Sequence, residues 1–210
     1  MPLSCQKQLF ALDPEVHYLN CGAYSPSLHR SVEKGMEGLL RKAQTPYSFR
    51  PADHFDTADR IRSLFSNLIG ADDPLRIALI PAVSYGMAVV AANLHRWPGL
   101  HTKKHIVLIG EEFPNHVYAF ERACAAHGLS VVTVQKPDTP DNRGAEWNAR
   151  LLEAITPETA LVVASQVHWI YGTVFHLEAL GRRCRDVGAM LAVDATQSVG
   201  AMPFDVQAIQ

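Results

Sequence analysis

From residue 76 onward the chain repeats one pattern: a short apolar run, a polar turn, then a stretch with helical spacing. The runs are IALI at 77–80, IVLI at 106–109, VVTV at 131–134, LVVA at 161–164 and MLAV at 190–193. Runs this short and this uniformly apolar suit strands buried on both faces, and strands alternating with helices are joined in parallel by crossovers. Helical patterns at 117–127, 146–155 and 177–187 fill the gaps, and Gly128 and Gly188 stand directly after two of them. A glycine there is the left-handed cap that ends a helix. The fold class that follows is α/β, a mostly parallel sheet with helices on both faces.

Ahead of this repeat lie two amphipathic patterns. One carries Val32, Met36, Leu39, Leu40 and Ala43 at helical spacing, the other Ala58, Ile61, Leu64, Phe65 and Leu68 before Gly70. Each presents an apolar stripe, and both are expected to cover one side of the sheet. The chain therefore divides into an amino-terminal helical segment, 1–70, and a sheet domain, 71–210. Residues 135–145, QKPDTPDNRGA, read as a strand-to-helix loop.

Composition narrows the partners. With 210 residues, 48% hydrophobic and 19% charged, the chain can bury a real core. A formal charge of -2, with no basic run longer than Lys103-Lys104, points to a small-molecule partner and away from nucleic acid. Cys5, Cys21, Cys124 and Cys184 are scattered without CxxC spacing, which suits reduced thiols in the cytoplasm and argues against zinc or a disulfide scaffold. No leader-like start and no membrane-length apolar run occur. The pairs His101/His105 and His54/Asp56 each lack a third ligand nearby, so no metal site is expected. No GxGxxG or Walker pattern marks a nucleotide site.

Chemistry concentrates at the ends of the apolar runs. The last run stops at Asp194, with Gln197 three positions on. A carboxylate at the carboxyl end of a parallel strand stands where open α/β sheets bind ligands, although the same residue also serves as a turn cap. In PAVSYGMAVVAANLH (81–95) a strand end turns into a helix, with Ser84 at the expected N-cap and Gly86 permitting close backbone approach. Amides at a helix start, with a hydroxyl, form an anion site, and a plain cap looks the same. In EEFPNHVYAF (111–120), Phe113 precedes a helix-starting Pro114, and His116 reads as a solvated histidine on a helix face.

Together these segments, with SQVHWIYGTVFHLEAL (165–180), resemble the class V aminotransferase family, the fold-type-I pyridoxal-phosphate enzymes that include cysteine desulfurases, kynureninases and isopenicillin N epimerase-like proteins. The resemblance implies pyridoxal 5'-phosphate (PLP) as cofactor. Val83, Ser84 and Tyr85 would hold its phosphate, Phe113 would stack on its ring, and Trp169 would lie beside cofactor or substrate. Asp194 would pair with the ring nitrogen and Gln197 would bond near the phenolic oxygen. His168 is the one acid–base candidate, and Asn20 and Tyr24, from YLNCGAYSPS (18–27), lie on the substrate side in the family's pattern. His176 departs from that pattern, standing where many members have a helix-capping Asp. An amino acid is the implied substrate, with transamination, epimerisation, desulfuration or carbon–carbon cleavage as the reaction. A homodimer is implied for the full-length enzyme.

The family's Schiff-base lysine follows the aspartate at a greater distance than the sixteen residues after Asp194, and those sixteen contain no lysine. Lys7, Lys34, Lys42, Lys103, Lys104 and Lys136 stand outside any matching motif. The expectation is a truncated chain without the catalytic lysine or the carboxyl-terminal small domain, inactive alone, with apolar surface and a sheet edge exposed. The alternative is a non-catalytic PLP-binding or interaction protein.

Overall fold

The computed structural model describes residues 4–22 and 24–210, which fall into two compact units, 1–60 and 61–210. The first contains α1 (His29–Gln44). Asp53 ties its turns together, accepting from Arg41 at 2.6 Å and from Arg50 at 2.9 Å. The apolar stripe of α1 is exposed where its pattern predicts a covered face: no residue of this helix is buried, and Val32, Met36, Leu39 and Leu40 all face solvent. An amphipathic pattern specifies that a face seeks cover, while the cover itself must come from elsewhere. The division between the units falls within α2 (Asp56–Ile69), whose Ile61, Leu64, Phe65 and Leu68 are likewise exposed.

The second unit is built on four parallel strands, β1 (His105–Ile109), β2 (Ser130–Val134), β3 (Thr159–Ser165) and β4 (Met190–Asp194), in the order β2-β1-β3-β4. Helix α3 (Val83–Asn93) precedes the sheet, and α4 (Pro114–His127), α5 (Arg143–Ala154) and α6 (Leu177–Val187) are the crossovers. A short α7 (Val206–Ile209) follows β4. The chain moves one way from β1 to β2, then reverses past β1 to β3 and β4. Right-handed crossovers in opposite directions place their helices on opposite faces, so α4 lies on one face and α5 and α6 on the other.

Side-chain alternation follows the same division. Ile106, Leu108, Leu161 and Val163 pack with α3, the turn after it and α4 through Met87, Leu94, Phe120 and Cys124. Val107, Ile109, Val162 and Ala164 pack with α5 and α6 through Trp147, Leu151, Leu180 and Cys184. All seven residues of β3 are buried, and each fully buried aliphatic side chain contributes about 1.5–3 kcal/mol. Trp147 is fully buried and its indole N–H donates to the Val134 carbonyl at 3.0 Å, so the ring brings no unpaired polar atom into the core. Gly128 and Gly188 sit at φ 68° and 63° and cap α4 and α6.

The apolar run at 77–80 does not form a strand. Leu79 and Ile80 are nearly half exposed, and the run pairs with none of the four strands. An isolated extended run has no ladder to join, and the outer edge of β4 is open. An apolar groove of about 940 Å³ follows that edge, lined by Leu191 and Val193 of β4, Ile80, and Met87 and Val90 of α3.

Candidate functional site

The direction of the chain reverses between β1 and β3, and ligands of open α/β sheets bind beyond the carboxyl ends of the strands at such a point. Leaving β1, the chain runs through Gly110, Glu111 and Glu112 to Phe113, the N-cap of α4. Glu111 takes a left-handed φ of 55°, uncommon for a side chain with a Cβ. Its carbonyl accepts from the Trp169 indole at 2.9 Å and its carboxylate accepts from the Tyr171 hydroxyl at 2.6 Å. Those contacts hold the β1 turn against the loop after β3.

Inside this turn lies a buried chain of polar groups. The Ser165 hydroxyl, at the end of β3, donates to Glu112 Oε2 at 2.8 Å, and the Phe113 amide donates to Glu112 Oε1 at 3.1 Å. Glu112 Oε1 faces His116 Nδ1 at 3.8 Å, an ion-pair distance beyond hydrogen-bond reach. His116 Nε2 meets Asp194 Oδ2 at 2.9 Å, and Asp194 Oδ1 accepts from the amide and hydroxyl of Thr196 at 2.9 and 2.5 Å. His116 is fully buried, contrary to the solvated helix-face position read from its sequence. It occupies the third residue of α4, within 2.9 Å of Asp194 at the end of β4.

Charge in this cluster is set by competition between burial and pairing. Burial pushes the His116 imidazole down, yet the hydrogen bond to Asp194 and the attraction of the Asp194 and Glu112 carboxylates outweigh it and lift the pKa to about 9. Burial pushes the Asp194 carboxyl up, but the bonds from His116 and Thr196 hold it below its ordinary value. Glu112 is likewise raised by burial and brought below its ordinary value by His116 and Ser165. The arrangement at neutral pH is therefore carboxylate, imidazolium, carboxylate.

Asp194 also lines the groove along β4, together with Val83 and Gly86 of α3. Helix α3 starts at Val83 with Ala82 as N-cap, so Ser84 is the second helical residue and not the cap. The amides of Val83 and Ser84 have no acceptor within the helix, as at any helix start. A Cβ on Gly86 would come within 2.9 Å of the Ile80 side chain, so the glycine admits that close approach. Tyr85 is exposed, and Gln197 lies half-buried in the turn after Asp194.

Phe113 and Trp169 meet edge to face, with ring centres 5.3 Å apart, and each is nearly half exposed. His168 is buried against Trp147 with both ring nitrogens engaged: Nδ1 accepts from the Ile170 and Tyr171 amides at 3.2 and 3.4 Å, which leaves Nε2–H to donate to the Gly110 carbonyl at 3.2 Å. Asn20 and Tyr24 lie in the first unit, where the Tyr24 amide donates to the Asn20 carbonyl at 3.3 Å in an exposed turn. Lys103 donates to the Pro157 and Val187 carbonyls and Lys104 pairs with Glu158, all at the amino end of the sheet. Glu112 and Ser165 match no catalytic or binding motif in the sequence. The only local hint was the i, i+4 spacing of Glu112 and His116 across a helix start.

The molecule is thus an open parallel α/β domain whose carboxyl edge sets an ionised carboxylate in the same groove as a helix N-terminus, the architecture of fold-type-I PLP enzymes. The chain belongs to the aminotransferase class-V family, whose sequence profile matches residues 24–210. It is 28% identical over 198 residues to isopenicillin N epimerase of Streptomyces clavuligerus, covering 94% of this chain and 48% of that protein. To the uncharacterized aminotransferase YcbU of Bacillus subtilis it is 32% identical over 204 residues, covering 96% and 50%. The apo cysteine desulfurase of Thermococcus onnurineus superposes with a TM-score of 0.79 at 21% identity, over 99% of this chain and 52% of that one. A structure of C-DES, a K223A mutant with glycine covalently linked to its PLP cofactor, superposes equally well, with a TM-score of 0.79 at 22% identity over 99% and 54%. The chain spans about half the length of the curated relatives it matches. Among the described residues, no helix is long and apolar enough to cross a membrane, and no cluster of metal-ligating side chains occurs.

Proposed function

We propose that this chain is the cofactor-binding part of a class V aminotransferase-like enzyme that acts on an amino acid. The observation that carries the reading is Asp194: a carboxylate at the end of β4, held ionised by His116 and Thr196, with its outer side on a groove shared with the start of α3. The donor set fits PLP. An ionised carboxylate suits a protonated pyridine nitrogen, and the first amides of α3 with the Ser84 hydroxyl suit a phosphate. Bound PLP supplies an electron sink for the substrate's α-carbon.

Each residue then has a defined task. Asp194 would keep the ring nitrogen protonated. Val83, Ser84 and Tyr85 would hold the phosphate, and Gln197 would bond near the phenolic oxygen. The edge-to-face pair Phe113 and Trp169 would shield the ring from water. His168 supports the loop, since both its nitrogens are engaged by backbone. Transamination, epimerisation, desulfuration and carbon–carbon cleavage are all compatible with this cradle. The amino-terminal segment 1–70 and the sheet domain 71–210 are proposed as its structural divisions, with the full-length enzyme a cytoplasmic homodimer.

A non-catalytic PLP-binding protein is the second reading, favoured by the engagement of Lys103 and Lys104 at the amino end of the sheet. Equilibrium titration of the purified chain with PLP, followed by absorbance and tryptophan quenching, tests the cofactor site. Saturable binding that weakens at least tenfold in Asp194→Ala is expected. Equal binding by the wild type and Asp194→Ala refutes the assignment. Restored turnover of an amino acid on adding a lysine-bearing carboxyl-terminal segment favours the enzyme reading over the second one.

A further inference from the structure

His116 is placed where simple helix energetics would not put a cation. It lies in the first turn of α4, whose exposed amides disfavour positive charge, and it is fully buried. Two carboxylates offset that placement, the partly buried Asp194 on Nε2 and the buried Glu112 facing Nδ1. Glu112 is itself fixed by the Ser165 hydroxyl and the Phe113 amide, so its carboxylate cannot swing toward solvent without losing both bonds. Among the described residues, Asp194 and Glu112 are the charged groups that act on this ring. Helix α3 has no charged side chain and only Tyr85 as a titratable one, β2 has none of either kind, and His105 of β1 lies at the opposite end of its strand.

We propose that His116 is a positioning residue for the ring-nitrogen site: its Nε2–H fixes the rotamer of the Asp194 carboxylate, and Glu112, clamped by Ser165, holds the imidazole from behind. The inference rests on the reading of Asp194 as the partner of the cofactor's ring nitrogen. It adds that the carboxylate alone is insufficient. Thr196 grips only Oδ1, and without His116 the other oxygen has no donor among the described residues to set its direction. The charges then alternate from Glu112 through His116 and Asp194 to the protonated ring, each neighbour stabilising the next.

The test compares binding of PLP with binding of its 1-deaza analogue, which has carbon in place of the ring nitrogen, to the full chain. Wild type is expected to prefer PLP at least tenfold, and the preference should collapse to within threefold in His116→Phe. His116→Gln, which retains an N–H donor near the Nε2 position, should restore most of it. Glu112→Gln should reduce it several-fold. Circular dichroism and thermal melting establish that each variant is folded. If His116→Phe does not fold, His116→Gln and Glu112→Gln decide: loss of preference in Glu112→Gln with retention in His116→Gln supports the proposal, and any other combination overturns it. A folded His116→Phe that discriminates as well as wild type overturns the role of His116 and leaves Asp194 as the ring partner. A wild type that binds PLP and the deaza analogue equally, or binds neither, overturns the reading of Asp194 and the present inference with it.

An independent readout needs no cofactor. In the histidine-¹⁵N-labelled chain at pH 8, His116 should have both nitrogens protonated, and Asp194→Asn should move its Nε2 resonance more than any other histidine's. A neutral His116 whose shifts ignore Asp194→Asn overturns the proposal.

Discussion

Replacing His116 by Gln should flatten the alkaline limb of the stability profile. The folded pKa of His116 is about 9 against an ordinary value of 6.5, so the native state binds an additional proton throughout that interval. Its contribution is fully present below pH 6.5 and is lost as pH rises through 9. At about 1.4 kcal/mol per pH unit, the interval corresponds to about 3 kcal/mol. The ring is fully buried, so solvent screening removes little of this. The attraction is shared with Asp194 and Glu112 and counts once. Their depressed pKa values act on the acid side, where stability is present above the ordinary carboxylate range and is lost as pH falls through it. Urea unfolding at pH 6, 7.5 and 9, followed by far-UV circular dichroism, reads the effect. Wild type should lose about 3 kcal/mol more than His116→Gln between pH 6 and 9. Parallel profiles for the two proteins would refute a charged His116 and the carboxylate, imidazolium, carboxylate arrangement.

Other outcomes follow from the packing. Phe120 is fully buried in the face formed with α3 and α4, and Phe120→Ala should lower stability by about 3–5 kcal/mol in urea melts. Gly188 caps α6 at φ 63°, and a Cβ there would meet Lys103 Nζ at 3.9 Å, an ordinary contact; Gly188→Ala should cost about 1–2 kcal/mol from backbone strain, measured the same way. Borohydride reduction of the chain with stoichiometric PLP, read by peptide mass mapping, should leave Lys103 and Lys104 unlabelled, since both are engaged at the far end of the sheet. Stoichiometric labelling of either lysine would contradict a cradle at the carboxyl edge.

Local chemistry made much of the fold legible. Four apolar runs became β1 to β4, and Gly128 and Gly188 ended their helices, because strand burial and left-handed caps are imposed by neighbouring residues. The position of Asp194 at the end of β4 was readable for the same reason. The run at 77–80 and the stripe of α1 show the limit: both have the composition of covered elements, and both are exposed for want of a covering surface. Whether an apolar face is buried depends on what packs against it, which periodicity does not encode.

Histidines mark the same boundary more sharply. In sequence, His116 is a polar residue in a helix's first turn and His168 a residue after a strand. The tertiary structure buries both, pairing His116 with a carboxylate 78 residues away and His168 with a carbonyl 58 residues away. The sequence alone determined a parallel α/β sheet with a carboxylate at its ligand-binding edge. Only the folded chain decided which side chains stand behind that carboxylate, because the sheet must form before the first turn of α4 and the end of β4 lie side by side, and the charge of His116 depends on Asp194, a partner that only long-range packing brings to 2.9 Å.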